Sequence, residues 1–150
     1  MSPTIIHSVY CRKLREIGEK LGFKTAWDSS GEREGYHRAN PDCIWYQSVQ
    51  PELVGMKGIP GKINFIVFEV LATETEKAMR GSLLSFSLRD AFRGVFVVLR
   101  KKDELDKDYQ DRIDYLKKII QKSEPDRFLI WEASDVDGLA KRVGISKDVN

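Results

Sequence analysis

Ile63-Asn-Phe-Ile-Val-Phe-Glu-Val-Leu71 decides the fold. It is the most apolar stretch of the chain, and its apolar side chains fall on both faces of an extended segment. A strand of that kind is covered on both sides, which predicts a central strand between two helical layers. Glu69 interrupts it. Burying an unpaired carboxylate costs several kcal/mol. A residue of this type in this setting either meets water at the strand end, pairs with a buried cation from the chain, or binds a divalent metal.

Working outward, Ile6, Tyr10, Leu14, Ile17 and Leu21 recur at helical spacing and Gly22 follows as a stop, predicting a first helix over 4–21. Residues 23–27 read as a short strand, 28–40 as a polar loop and 42–47 as a second strand. A segment punctuated by Pro and Gly covers 51–61. After the central strand, Thr73 and Glu76 have the spacing of a capping box. A helix is expected over 74–92, burying Leu83, Leu84, Leu88 and Phe92, with Gly94 ending it. Residues 95–99 form a buried strand. An amphipathic helix over 104–122 carries Tyr109, Ile113, Leu116 and Ile120 on one stripe. A strand over 128–131 and a helix over 135–142 follow. The order α-β-β-β-α-β-α-β-α predicts a single α/β domain over 1–150, with a mixed central sheet of about four to five strands flanked by helices.

Composition bounds the function loosely. The 150 residues are 41% hydrophobic and 32% charged, with a net charge of +2. A DNA-binding face must then come from uneven placement of charge rather than from its total. Two cysteines make no disulfide framework and no CxxC motif, which fits a reducing compartment. Cys11, Cys43, His7 and His37 are scattered along the chain, so no zinc site is expected of them. No apolar run approaches the ~20 residues that span a bilayer, and no signal core is visible. A cytoplasmic protein is the expectation. The P-loop and G-x-S-x-G motifs are absent, and Ser82, Ser85 and Ser87 have no histidine at a recognisable spacing. Trp27, Trp45 and Trp131 sit in strand patterns and read as core.

Asp42 is the second acidic residue of interest. Asn40-Pro41-Asp42 is good turn chemistry, yet Asp42 opens a strand able to pair with 63–71. Two carboxylates at neighbouring strand ends make an oxygen-ligand site for Mg2+, and such a cation activates water in phosphodiester cleavage.

Pro41-Asp42-Cys43-Ile44-Trp45, then 27 positions from Asp42 to Glu69, then Phe68-Glu69-Val70-Leu71 leading into a helix, resembles the PD-(D/E)xK nuclease superfamily. The likeness extends from the first helix through the strand at 95–99. The run FEVLATETEKAMRGSLLSFSLRDAFRGVFVV resembles restriction-endonuclease-like proteins with F-E-V-E before such a helix. The resemblance implies a restriction-endonuclease-like fold and Mg2+- or Mn2+-dependent DNA cleavage, with Asp42 and Glu69 as metal ligands. It also implies a homodimer that cuts two strands. Junction resolution on the same scaffold is a further possibility that it leaves open.

The pattern wants lysine where Leu71 stands, and leucine neither binds metal nor polarises water. Either Lys77, Lys62 or Lys57 takes over that role, or the domain binds DNA or a partner protein without cutting. Members of the superfamily also use an acidic residue from the first helix. Glu16 lies on the shoulder of the buried stripe, ~120° from its centre, and is the candidate there ahead of Glu19. Arg12, Lys13, Arg15 and Lys20 surround it on the same helix. Arg33, Tyr36, His37 and Arg38 precede Asp42. Together with Lys57, Arg33 and Arg38 are the candidate contacts to a phosphate backbone.

Overall fold

The computed structural model describes residues 3–27, 41–73, 75–87 and 90–145. The elements run α1 (Pro3–Lys20), β1 (Lys24–Ala26), β2 (Cys43–Ser48), β3 (Lys62–Leu71), α2 (Glu76–Ser87), β4 (Ala91–Val98), α3 (Asp106–Gln121), β5 (Phe128–Glu132) and α4 (Ala133–Arg142). A 3-10 turn, Pro51–Leu53, lies between β2 and β3. The five strands form one sheet in the order β1-β2-β3-β4-β5. The first three are antiparallel, and β4 and β5 join in parallel. This is the α/β mixed sheet expected from the sequence. The long connections after β3 and β4 carry helices, as parallel strands require.

β3 is covered on both faces because its side chains alternate. Ile66, Phe68 and Val70 pack with Tyr10, Leu14 and Ile17 of α1 and with Val136 and Ala140 of α4. Val67 and Leu71 pack with Met79 and Leu83 of α2 and with Tyr109, Ile113, Leu116 and Ile120 of α3. Each large apolar side chain buried this way contributes roughly 1.5–3 kcal/mol. The stripe foreseen for α3 is therefore the buried one.

Trp45 fixes α1 on the sheet. Its indole N–H donates to the Leu14 carbonyl at 2.9 Å, and a Cβ added at Gly18 would collide with its ring. Arg112 fixes the connection between β4 and α3. Its guanidinium donates from two nitrogens to the two carboxylate oxygens of Glu104, both at 2.9 Å. The two side chains are only 11% and 6% exposed.

The structure corrects the sequence reading in three places. α2 ends at Ser87 rather than near 92, and Phe92 and Gly94 belong to β4. The parallel ladder beginning at Asn64↔Ala91 claims these residues. Phe92 is accordingly exposed, as is Leu84, while Leu88 lies outside the described residues. The hydroxyl that caps α2 is Thr75, which accepts the Ala78 N–H at 3.2 Å; the Thr73/Glu76 spacing sits two residues too early. Trp27 is not core but 44% exposed, beneath the Arg15 guanidinium at 4.2 Å. No helix among the described residues is long and apolar enough to cross a membrane.

Candidate metal centre

Asp42 immediately precedes β2, and the β2–β3 register positions it. Cys43 pairs with Phe68 and Ile44 with Val67, so one further step brings Asp42 level with Glu69. Backbone bonds fasten Asp42 on either side of that glutamate. The Asp42 N–H donates to the Phe68 carbonyl at 3.1 Å, and Asp42 Oδ2 accepts the Val70 N–H at 2.8 Å. The side chain of Asp42 is 10% exposed, and Glu69 is half-buried.

α1 delivers two more groups to the same carboxylate. His7 and Cys11 are four residues apart on the helix and therefore share a face. His7 Nε2 lies 3.2 Å from Asp42 Oδ2, and Cys11 Sγ lies 3.6 Å from His7 Nδ1. One donor atom from each of His7, Cys11 and Asp42 falls within 4.8 Å of the other two.

The electrostatics follow from these contacts. The hydrogen bond to Asp42, helped by Cys11, raises His7 from 6.5 to about 10 against the opposing effect of burial. His7 is thus an imidazolium at neutral pH, donating Nε2–H to the carboxylate. Burial pushes the Cys11 thiol up despite its bond to His7. Burial and the neighbouring Asp42 carboxylate push Cys43 up to about 12. The contact order Cys–His–Asp matches that of a thiol nucleophile, but a raised thiol holds less thiolate at neutral pH, the reverse of activation.

The remaining candidates separate by position. Leu71 is fully buried among the α2 and α3 side chains, so its place in the core explains an apolar residue there. Lys77 lies exposed in the first turn of α2, which follows β3 at the Glu69 end. Lys62 opens β3, seven residues before Glu69 and hence about 23 Å away along the strand. It sits over the Tyr46 ring at 4.6 Å. Lys57 is exposed in the β2–β3 connection at that same far end. Glu16 lies nine residues beyond His7 on α1, about 13.5 Å along the axis and about 180° around it. Neither lysine of the far end, nor Glu16, is brought to Asp42. Arg33, Tyr36, His37 and Arg38 lie outside the described residues.

His7 and Cys11 are the site residues that sequence reasoning missed. The signal was H-x-x-x-C at helical spacing beside the Ile6/Tyr10/Leu14 stripe. It stayed invisible because Asp42 is 35 residues from His7 in the chain. At Asp42, then, imidazole and thiol approach from α1, while the backbone of Glu69 lies level with it across the β2–β3 pair.

No protein-family model, no curated protein and no solved structure matches the chain.

Proposed function

We propose that the chain is a divalent-metal-dependent DNA endonuclease of the PD-(D/E)xK type, acting in the cytoplasm, with Asp42 and Glu69 as its metal ligands. One observation carries this reading: the β2–β3 register brings Asp42 level with Glu69, at the end of the sheet that α1 and α2 border. The element order and mixed sheet accord with a restriction-endonuclease-like domain.

Mg2+ or Mn2+ suits a pair of carboxylates, since both cations prefer oxygen ligands and keep several waters. When bound, such a cation supplies a Lewis acid and a water of lowered pKa. The chain's own part is positional. The Val70 N–H holds the Asp42 carboxylate in orientation, and β3 fixes Glu69 from a buried backbone. Lys77 is the candidate lysine at this end of the sheet, and takes the role that Leu71 cannot. Arg33 and Arg38 lead into Asp42 and supply charge for the phosphate backbone. Two copies in a homodimer would address the two strands of a duplex.

A second reading, DNA binding without cleavage, is favoured by one observation: His7 already neutralises Asp42, so that carboxylate needs no cation for its stability. Both readings meet one experiment. Wild type, Asp42→Asn and Glu69→Gln are incubated with supercoiled, linear and branched DNA, with Mg2+, Mn2+ or chelator. Metal contributes several kcal/mol of charge stabilisation, so either substitution should slow cutting by on the order of 100-fold or more. Undiminished cutting by Glu69→Gln refutes the ligand assignment. Retained DNA binding with no cutting by wild type selects the second reading.

A further inference from the structure

We propose that His7, Cys11 and Asp42 form a second cation site, selective for a thiophilic divalent metal of the zinc class and with a fourth position open to solvent. It shares Asp42 with the carboxylate site but does not need Glu69, so the two assignments stand or fall separately.

Three unlike donors converge here: an imidazole nitrogen, a thiol sulfur and a carboxylate oxygen, mutually within 4.8 Å. Thiolate and imidazole ligands select zinc-class ions, whereas Mg2+ takes carboxylates, carbonyls and water. Three protein ligands with one open position is the arrangement of reactive rather than purely structural zinc sites. Bond lengths of ~2.0–2.3 Å set the edges of a zinc tetrahedron at roughly 3.3–3.6 Å. The His7 Nε2–Asp42 Oδ2 separation of 3.2 Å is already at that scale. The Cys11 Sγ–His7 Nε2 separation of 3.9 Å is slightly wider. The third edge, from the Cys11 sulfur to an Asp42 carboxylate oxygen, is no more than 4.8 Å.

The donors are held from outside the cluster. Helix α1 presents His7 and Cys11 one turn apart, and the Val70 N–H fixes the Asp42 oxygen that faces them. A side-chain ion pair between His7 and Asp42 accounts for two of the three members. Cys11 also packs against the apolar cluster beneath α1, and its sulfur is only a weak hydrogen-bonding partner of His7. Binding displaces the His7 Nε2 proton and the Cys11 thiol proton to solvent, and as a thiolate the same sulfur becomes the strongest ligand of the three. Access is available, since His7 is 31% exposed while Asp42 is only 10% exposed.

Co2+ is the probe, added to the full chain after treatment with chelator and reductant. The expected result is a thiolate-to-cobalt charge-transfer band with the intense visible bands of tetrahedral cobalt, both abolished when Zn2+ displaces it. Cys11→Ser should eliminate the charge-transfer band. His7→Gln should weaken Co2+ binding by at least about tenfold, a loss that even outer partners of a metal ligand can cause. Glu69→Gln should leave the cobalt spectrum intact while losing any Mn2+ site, and Cys43→Ala should change nothing. No charge-transfer band from wild type in excess Co2+ overturns the proposal, and so does a band that survives in Cys11→Ser. Should Cys11→Ser fail to fold, as circular dichroism would show, the wild-type spectrum and the Cys43→Ala control decide alone.

Discussion

Replacing His7 by Gln removes the imidazolium from Asp42 and keeps a polar side chain of similar length. His7 Nε2 lies 3.2 Å from Asp42 Oδ2, and the contact raises His7 from 6.5 to about 10. Each pKa unit corresponds to about 1.4 kcal/mol, so this rise of about 3.5 units sets a ceiling near 5 kcal/mol. With 31% of the side chain exposed, solvent screening reduces the stabilisation to on the order of 2 kcal/mol. The folded pKa lies above the unfolded one. The stabilisation is therefore complete below pH 6.5, declines as pH rises, and is gone once pH passes about 10. Urea unfolding of wild type and His7→Gln, in chelator, from pH 6 to pH 10 measures it. The predicted gap in unfolding free energy is about 2 kcal/mol at pH 6, or about 4–8 °C in Tm for a chain of this size, closing toward pH 10. An NMR titration of the His7 ring gives the same answer independently. A midpoint near 6.5, or a gap that does not shrink with pH, would refute the reasoning.

Three other perturbations follow from the same structure. Arg112→Met leaves the buried Glu104 carboxylate without its two guanidinium donors, with only the Lys101 N–H remaining, and should cost about 3–5 kcal/mol in urea unfolding; a change under about 1 kcal/mol contradicts the buried pair. Gly18→Ala drives a methyl into the Trp45 ring and should destabilise by about 1–3 kcal/mol, read as a lower Tm with quenched or shifted Trp fluorescence. Lys77→Ala should slow DNA cutting by on the order of 100-fold, while Lys62→Ala, placed at the opposite end of β3, should leave the rate unchanged. The reverse ranking would move the chemistry to the far end of the sheet.

Most of the fold was legible because local pattern and tertiary burial agree. β3 reads apolar on both faces and is covered on both faces. The stripe of α3 is the stripe that packs. The end of α2 was misread because Leu84, Leu88 and Phe92 recur at four-residue spacing and Gly94 imitates a helix stop. Pairing with β3 overrides that spacing from Ala91 onward. At the site, Asp42 and Glu69 stood out because each marks a strand end or interrupts an apolar run, which are local properties. His7 and Cys11 gain their meaning only where α1 crosses the start of β2, so their significance depends on long-range packing that no local window contains. Glu16 was favoured by its angle on the helix, but an angle says nothing about distance along the axis, and that distance separates it from Asp42.

The claim beneath the proposed activity is that Asp42 and Glu69 share one hard cation. Mn2+ binding to the full chain, followed by electron paramagnetic resonance in wild type, Asp42→Asn and Glu69→Gln, tests it most directly. The account predicts saturable binding by wild type that is lost in both variants, with each variant still folded by circular dichroism. Equal Mn2+ affinity in Glu69→Gln and wild type, or no saturable binding by wild type, would contradict it.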